Sequence, residues 1–147
     1  MLRAENLNQY GLDLDGKRSL HKVIDLLKSY DEIKYITISI GYSLGETTRE
    51  LLDTLANCRK IVGMSLFLEA GSDRLLKLIG KKYTCQMAKD FVRFMRGYHP
   101  YMEILVTVMV GLPTEELTDI IELGDLLMEC DINFVHCNYY GYVDKHH

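Results

Sequence analysis

What these 147 residues lack narrows the field before anything they contain. No apolar run approaches the ~20 residues of a membrane span. Met1 leads into Leu2, Arg3, Ala4 and Glu5 with no apolar signal core, so no membrane partner is expected and the expected location is cytoplasmic. Positive charge is not in excess. Seventeen Lys and Arg against 21 Asp and Glu leave a net charge of −4, which argues against a broadly basic nucleic-acid surface but not against a local patch. Cysteine is sparse: Cys58, Cys85, Cys130 and Cys137 form no C-x-x-C and no zinc-type spacing. They read as free thiols, mostly buried. His136 and Cys137 are adjacent, but neighbours on a strand point to opposite faces, so no shared metal ion is expected. Low-complexity segments and linkers are missing too, and the length suits one domain.

What is present is a strand–helix alternation. Ser19 is placed to cap a helix over Leu20–Ser29, whose Leu20, Val23, Ile24 and Leu27 share a face. Ile33–Ile40 is β-branched and aromatic and reads as a strand, with Gly41–Gly45 as its exit loop. Thr47 or Thr48 caps the next helix. Ile61–Leu68 is apolar throughout and reads as a strand covered on both faces. Thr84 opens a helix over Cys85–Gly97, with Gly97 as its C-terminal cap. Tyr101–Val110 is another strand. Thr114 caps a helix whose first turn carries Glu115 and Glu116, and Ile132–Cys137 is the last strand. A partial strand at Met1–Asn6 precedes all of these. Alternation of this kind implies parallel strands joined by right-handed crossovers. About five strands make an open doubly wound sheet or a piece of a barrel, since a closed eight-fold barrel needs ~200 residues or more.

Everything turns on the stretch L-E-A-G-S-D-R-L-L-K-L-I-G-K-K-Y-T over residues 68–84. Glu69 stands at the C-terminal end of a buried strand, where α/β folds place their chemistry. Gly71 turns the backbone, and Ser72 or Asp73 opens the next helix. Glu69 can accept hydrogen bonds from an ammonium or a ribose hydroxyl. Ser39, at the end of the preceding strand, can join it. Glu5 and Asn6 sit at the equivalent end of the first partial strand. Gly111 and Leu112 would let backbone and apolar surface approach a flat ring, and Lys81 can meet an anionic group. Each has an ordinary alternative: a solvated loop acid for Glu69, a strand-end hydroxyl for Ser39, a loop cap for Asn6, a tight turn for Gly111 and Leu112, an exposed helix-end cation for Lys81. Tyr139, Tyr140 and Tyr142 can stack on bases, although packing is the commoner use of such a cluster.

The 68–84 stretch resembles the L-Q-S-G-S-D-x-x-L-K-x-M-x-R-x-Y-T pattern of radical S-adenosylmethionine methylthiotransferases. T-V-M-V-G-L-P-T-E at 107–115 is similar to their D-I-I-V-G-F-P-G-E, A-E-N-L-N-Q-Y-G at 4–11 to their T-G-x-N-x-x-x-Y-G, and L-L-D-T-L-A-N at 51–57 to their E-L-L-x-L-I-A-N. The resemblance implies a parallel-stranded partial (β/α) barrel over 1–147, about strands 2–6 of that fold, as a fragment of a longer enzyme. It implies S-adenosylmethionine and a [4Fe–4S] cluster at the strand C-termini, cleavage to a 5′-deoxyadenosyl radical, and transfer of a methylthio group to tRNA or a ribosomal protein. The cofactor contacts it suggests are Glu69, Ser39, Gly111, Leu112, Glu5, Asn6 and Lys81; no catalytic residue is assigned. The family's cluster ligands come from C-x-x-x-C-x-x-C, which this sequence does not contain. The isolated chain is therefore expected to bind neither the cluster nor S-adenosylmethionine and to be inactive. Glu69 and Ala70 in place of Gln-Ser keep a cobalamin-dependent radical enzyme open as an alternative. A non-catalytic half-barrel module is the third reading. A barrel cut through a strand leaves open edges, so self-association through them is expected.

Overall fold

The computed structural model describes residues 1–4 and 6–141. Glu5 and Tyr142 lie outside the described residues. Four strands, β1 (Ile36–Tyr42), β2 (Ile61–Glu69), β3 (Glu103–Val110) and β4 (Phe134–Tyr139), pair in parallel in the order β1-β2-β3-β4. The N-terminal segment adds a parallel bridge: Leu2 N–H donates to Thr37 O at 2.8 Å and Leu2 O accepts from Ser39 N–H at 2.9 Å. The expected partial first strand is thus present as a single bridge.

The strand order chooses between the two architectures left open by the sequence. A doubly wound sheet reverses its strand order at a switch point. This sheet never reverses, and right-handed crossovers taken always in one direction put every helix on the same face. Burial agrees. Ile36, Ile38, Met64, Leu66, Leu68, Ile104, Val106 and Val108 face the helices and are buried. Thr37, Ser39, Ser65, Phe67, Leu105, Thr107 and Met109 alternate with them on the other face and are only half-buried. The fold is a partial parallel α/β barrel with one open face, so the expectation that β2 is covered on both faces is corrected. Among the described residues five α-helices clothe the outer face: α1 (Leu20–Ser29), α2 (Arg49–Asn57), α3 (Asp73–Leu78), α4 (Cys85–Tyr98) and α5 (Leu117–Glu129). All six residues of β4 are exposed, and among the described residues no further strand pairs with its outer edge.

Caps explain most helix starts, with three departures. The hydroxyls of Thr48, Ser72 and Thr84 accept from the amides of Leu51, Leu75 and Met87, as N-caps do. Ser19 precedes α1 but makes no such bond. Thr114 does not cap α5: its φ of 63° holds it in a left-handed turn, and Glu116 is the capping residue. Glu115 therefore lies before the helix. Gly97 sits inside α4 and His99 ends it, its buried ring nitrogen Nε2 2.8 Å from Leu55 O. The start of the first long strand moves from Ile33 to Ile36 and its end from Ile40 to Tyr42, because Tyr42 pairs with Leu66 of β2 and is fully buried. The last strand likewise runs to Tyr139.

Candidate functional site

The C-terminal ends of parallel strands gather the loops that carry chemistry in such folds. Here a pocket of about 230 Å³ opens at the ends of β1 and β2, lined by Asn6, Tyr42, Ser43, Phe67, Glu69, Lys81 and Tyr83. Three residues singled out from the sequence, Asn6, Glu69 and Lys81, meet in it. The volume is below the ~300–1,000 Å³ of a site that encloses a drug-sized ligand, so it has room for one moiety of a larger molecule.

Glu69 is aimed into the pocket by an unusual backbone. Its φ is 62°, a left-handed conformation that costs a non-glycine residue about 1–3 kcal/mol. The β2–β3 register slips at the same point, Phe67 pairing with Thr107 and Glu69 with Val108. Tyr83 holds that irregularity. Its hydroxyl donates to Leu68 O at 2.7 Å and Phe67 O at 3.1 Å, and lies 3.5 Å from Glu69 Oε2. Burial, with the Glu69 charge beside it, pushes the Tyr83 phenol well above its ordinary value, so it remains a donor. Lys81 Nζ sits 2.5 Å from Glu69 Oε1, with the two side chains 33% and 16% exposed. Lys81 is thus a partner of the strand-end acid rather than a free helix-end cation. Only one carboxylate oxygen is engaged by it.

The other wall is built from the loop before α1 and the turn after β1. Asn6 Nδ2 donates to Glu46 Oε2 at 3.0 Å, and Asn6 Oδ1 accepts from Asn8 N–H at 3.1 Å. Buried Asn8 accepts from Ser43 N–H at 2.8 Å and so joins the two segments. Tyr42 lends a ring edge, its hydroxyl 2.9 Å from Thr47 Oγ1 and its pKa raised chiefly by burial.

The remaining sequence candidates lie elsewhere. Ser39 is mid-strand rather than at a strand end, and lines a separate shallow depression on the open sheet face with Thr37, Gly63 and Ser65. Gly111 and Leu112 follow β3. Gly111 has φ 79° and donates its N–H to Glu115 Oε2 at 2.6 Å, and a Cβ there would stand 2.9 Å from the Tyr139 ring. Leu112 is buried. The sequence reading missed Tyr42, Ser43, Phe67 and Tyr83; of these Tyr83 had a signal, the Y-T pair that closes the 68–84 motif.

The four thiols are scattered. Cys58 and Cys130 are buried, Cys85 is half-buried and Cys137 exposed. Burial, with Asp73 next, pushes the Cys85 thiol up to about 12, and its Sγ contacts Gly71 O at 3.1 Å. Among the described residues no three His, Cys, Asp or Glu side chains come together as a metal site. These residues do not fit a [4Fe–4S] cluster, which needs closely grouped thiolates. They do fit part of a nucleoside-like or amino-acid-like ligand: an acid whose second oxygen meets only the distant Tyr83 hydroxyl at 3.5 Å, a cation beside it and aromatic walls. Among the described residues no helix is long and apolar enough to cross a membrane.

A family model described as the radical SAM superfamily matches residues 6–127. The chain is 32% identical over 127 residues to the tRNA-2-methylthio-N(6)-dimethylallyladenosine synthase of Natranaerobius thermophilus, covering 86% of this chain and 28% of that protein. It is 30% identical over 136 residues to the ribosomal protein uS12 methylthiotransferase RimO of Clostridium botulinum, covering 92% and 30%. The chain therefore spans about three-tenths of the length of these relatives. Among solved structures it is similar to the radical S-adenosylmethionine methyltransferase TsrM of Kitasatospora setae, with cobalamin and a [4Fe–4S] cluster bound, at a TM-score of 0.65 and 15% identity over 88% of this chain and 24% of that one. It is also similar to SuiB of Streptococcus suis bound to S-adenosylmethionine, at 0.61 and 16% over 97% and 30%. At those identities the two structures speak for the fold.

Proposed function

The chain belongs to the radical SAM superfamily, and from that premise we propose that it is the S-adenosylmethionine-binding wall of a methylthiotransferase-like enzyme acting on tRNA or a ribosomal protein. The observation that carries the reading is the Glu69–Lys81 pair, set with Asn6 in one pocket at the strand C-termini. The relatives named for methylthio transfer to tRNA and to uS12 support the branch. When bound, S-adenosylmethionine supplies radical chemistry beside an iron–sulfur cluster that these residues do not hold.

This chain's part is to bind and orient. Lys81 neutralises one oxygen of Glu69 and fixes the carboxylate plane. The other oxygen keeps acceptor capacity for a ribose hydroxyl or an ammonium. Lys81 retains two further donors for an anionic oxygen of the ligand. Phe67 and Tyr42 exclude water from the apolar side. Tyr83 holds the backbone slip from which Glu69 projects. Gly111 leaves open the end of β3 against Tyr139, where a side chain would collide.

The test is a titration of the 147-residue chain with S-adenosylmethionine, followed by amide chemical shifts. Shifts should concentrate at Asn6, Tyr42, Ser43, Phe67, Glu69 and Lys81. Glu69→Ala should weaken binding about tenfold or more, since a hydrogen bond to a charged group is worth about 1.5–3 kcal/mol. Unmoved resonances at millimolar ligand would sink the reading.

A further inference from the structure

A second cavity on the same end of the barrel carries a different charge. It holds about 540 Å³, opens to solvent and is lined by Leu12, Gly16, Lys17, Arg18, His21, Lys22, Thr48 and Glu50. Three permanent cations and a histidine thus face one acid. α1 and α2 both begin at its rim, as helices following parallel strands must. The N-terminus of α1 is electropositive and uncompensated: Ser19 makes no cap bond and the first turn holds no acid.

The cations are poorly matched inside the protein. Arg18 Nη2 reaches Glu46 Oε2 only at 3.6 Å, the one ion pair of this cluster among the described residues. Arg18 Nε is buried and has no partner there. Asp15, in the adjoining loop, spends Oδ1 on the Lys17 backbone amide at 3.0 Å. Glu50 is engaged by its own helix end: its carboxyl is held below the ordinary value chiefly by its backbone amide and the Thr48 hydroxyl, with His21 and Arg49 adding to the effect. A cleft with unspent cations beside a bare helix N-terminus suits phosphate oxygens.

The cleft is mechanically joined to the pocket at Glu69. Glu46 takes Asn6 of the pocket wall on Oε2 and reaches Arg18 of the cleft wall with the same oxygen. We infer that this cleft docks the phosphodiester backbone of an RNA substrate, held by Lys17, Arg18 and Lys22, while a nucleotide of the same RNA approaches the pocket. The choice of RNA as the phosphate carrier rests on the function proposed above; the cleft itself does not. A net charge of −4 makes the attraction local, so binding should be weak and steeply dependent on salt.

The experiment is fluorescence anisotropy of a labelled RNA stem-loop with the 147-residue chain between 50 and 200 mM salt. Three phosphate contacts at ~0.7 each predict a loss of about twentyfold across that range. Lys17→Ala/Lys22→Ala, at two cleft lysines that form no ion pair among the described residues, should bind at least tenfold more weakly at 50 mM. Its salt sensitivity should fall to about threefold. Lys28→Ala, at the far end of α1 and paired with Asp25, should match the wild type. The inference is overturned if the double variant binds RNA with unchanged affinity and slope. It is overturned equally if inorganic phosphate shifts the His21 resonance but RNA does not bind, which would mean a small-anion site only. Neither result touches the pocket, whose S-adenosylmethionine shifts are read separately in the same variants.

Discussion

Replacing Asp119 tests the tie that holds two loops of the functional face together. Asp119 is buried near the start of α5. Its Oδ1 accepts from Ser72 Oγ at 2.6 Å and from Arg74 Nε at 3.3 Å. Its Oδ2 accepts from Glu116 N–H at 2.8 Å and pairs with Arg74 Nη2. Arg74 also donates to Thr114 O at 2.7 Å, so one guanidinium ties the first turn of α3 to the β3–α5 loop and to the first turn of α5. Asp119→Ala strands a buried hydroxyl, an amide and an arginine. Breaking a buried pair from one side costs about 3–5 kcal/mol. The lower end is expected, because Arg74 is 47% exposed and water can take over part of its charge. With m about 1–3 kcal/mol/M in urea, 3 kcal/mol moves the midpoint down by roughly 1–3 M. Asp119→Asn keeps the shape and tests the charge. Arg74, then Ser72, hold the Asp119 carboxyl down to about 2 from an ordinary 3.8. A depressed carboxyl stabilises the fold above its unfolded pKa, and that stability is lost as pH falls through the folded value. The wild type should therefore lose up to about 2 kcal/mol between pH 4 and pH 2 on account of this residue, less after screening, and Asp119→Asn should lose none of it. A loss below 1 kcal/mol for Asp119→Ala in urea, or the same acid limb in wild type and Asp119→Asn, would refute the reasoning.

Two further substitutions probe the same face. Gly71→Ala places a Cβ 2.2 Å from Leu123 Cα and 2.6 Å from Leu123 N. Those are backbone atoms of α5 that cannot rotate aside, so thermal melting should report a loss of at least ~3 kcal/mol, or no cooperative transition; a melting temperature within 2 °C of wild type, the scale of a change of no more than about 1 kcal/mol, would contradict the close approach. Tyr83→Phe removes the donor to Leu68 O while keeping the ring, and should cost about 0.5–1.5 kcal/mol of stability, the worth of one hydrogen bond, because Leu68 O still accepts from Ala70 N–H at 2.7 Å. If the hydroxyl also aims Glu69, S-adenosylmethionine affinity should fall in the same variant; unchanged affinity would leave Tyr83 a structural residue only.

Local chemistry made much of this protein legible. Thr48, Ser72 and Thr84 cap helices because a hydroxyl before an amphipathic run can reach the free amides whatever the rest of the chain does. Glu69 was readable as a strand-end acid because an apolar run stops there and Gly71 follows. The failures were all places where a partner distant in sequence decided. Gly41 looked like the end of a strand, but Tyr42 stays in it by pairing with Leu66. With the strand running on to Tyr42, Ser39 lies mid-strand and faces the open side of the sheet. Thr114 had the residue type of a cap, yet Arg74 bonds both its hydroxyl and its carbonyl and its backbone turns left-handed.

The sequence by itself determined the alternation of strands and helices, the helix starts at Thr48, Ser72 and Thr84, and the absence of closely spaced thiols. Those follow from periodicity, capping and spacing, which are properties of neighbours along the chain. Tertiary structure alone decided that the sheet winds in one direction, that Lys81 closes on Glu69 while Ser39 does not approach it, and that Lys17, Arg18 and Lys22 gather opposite Thr48 and Glu50. The reason is geometric. Strand order and the meeting of loops depend on which segments bury one another's apolar faces, and no local pattern carries that choice.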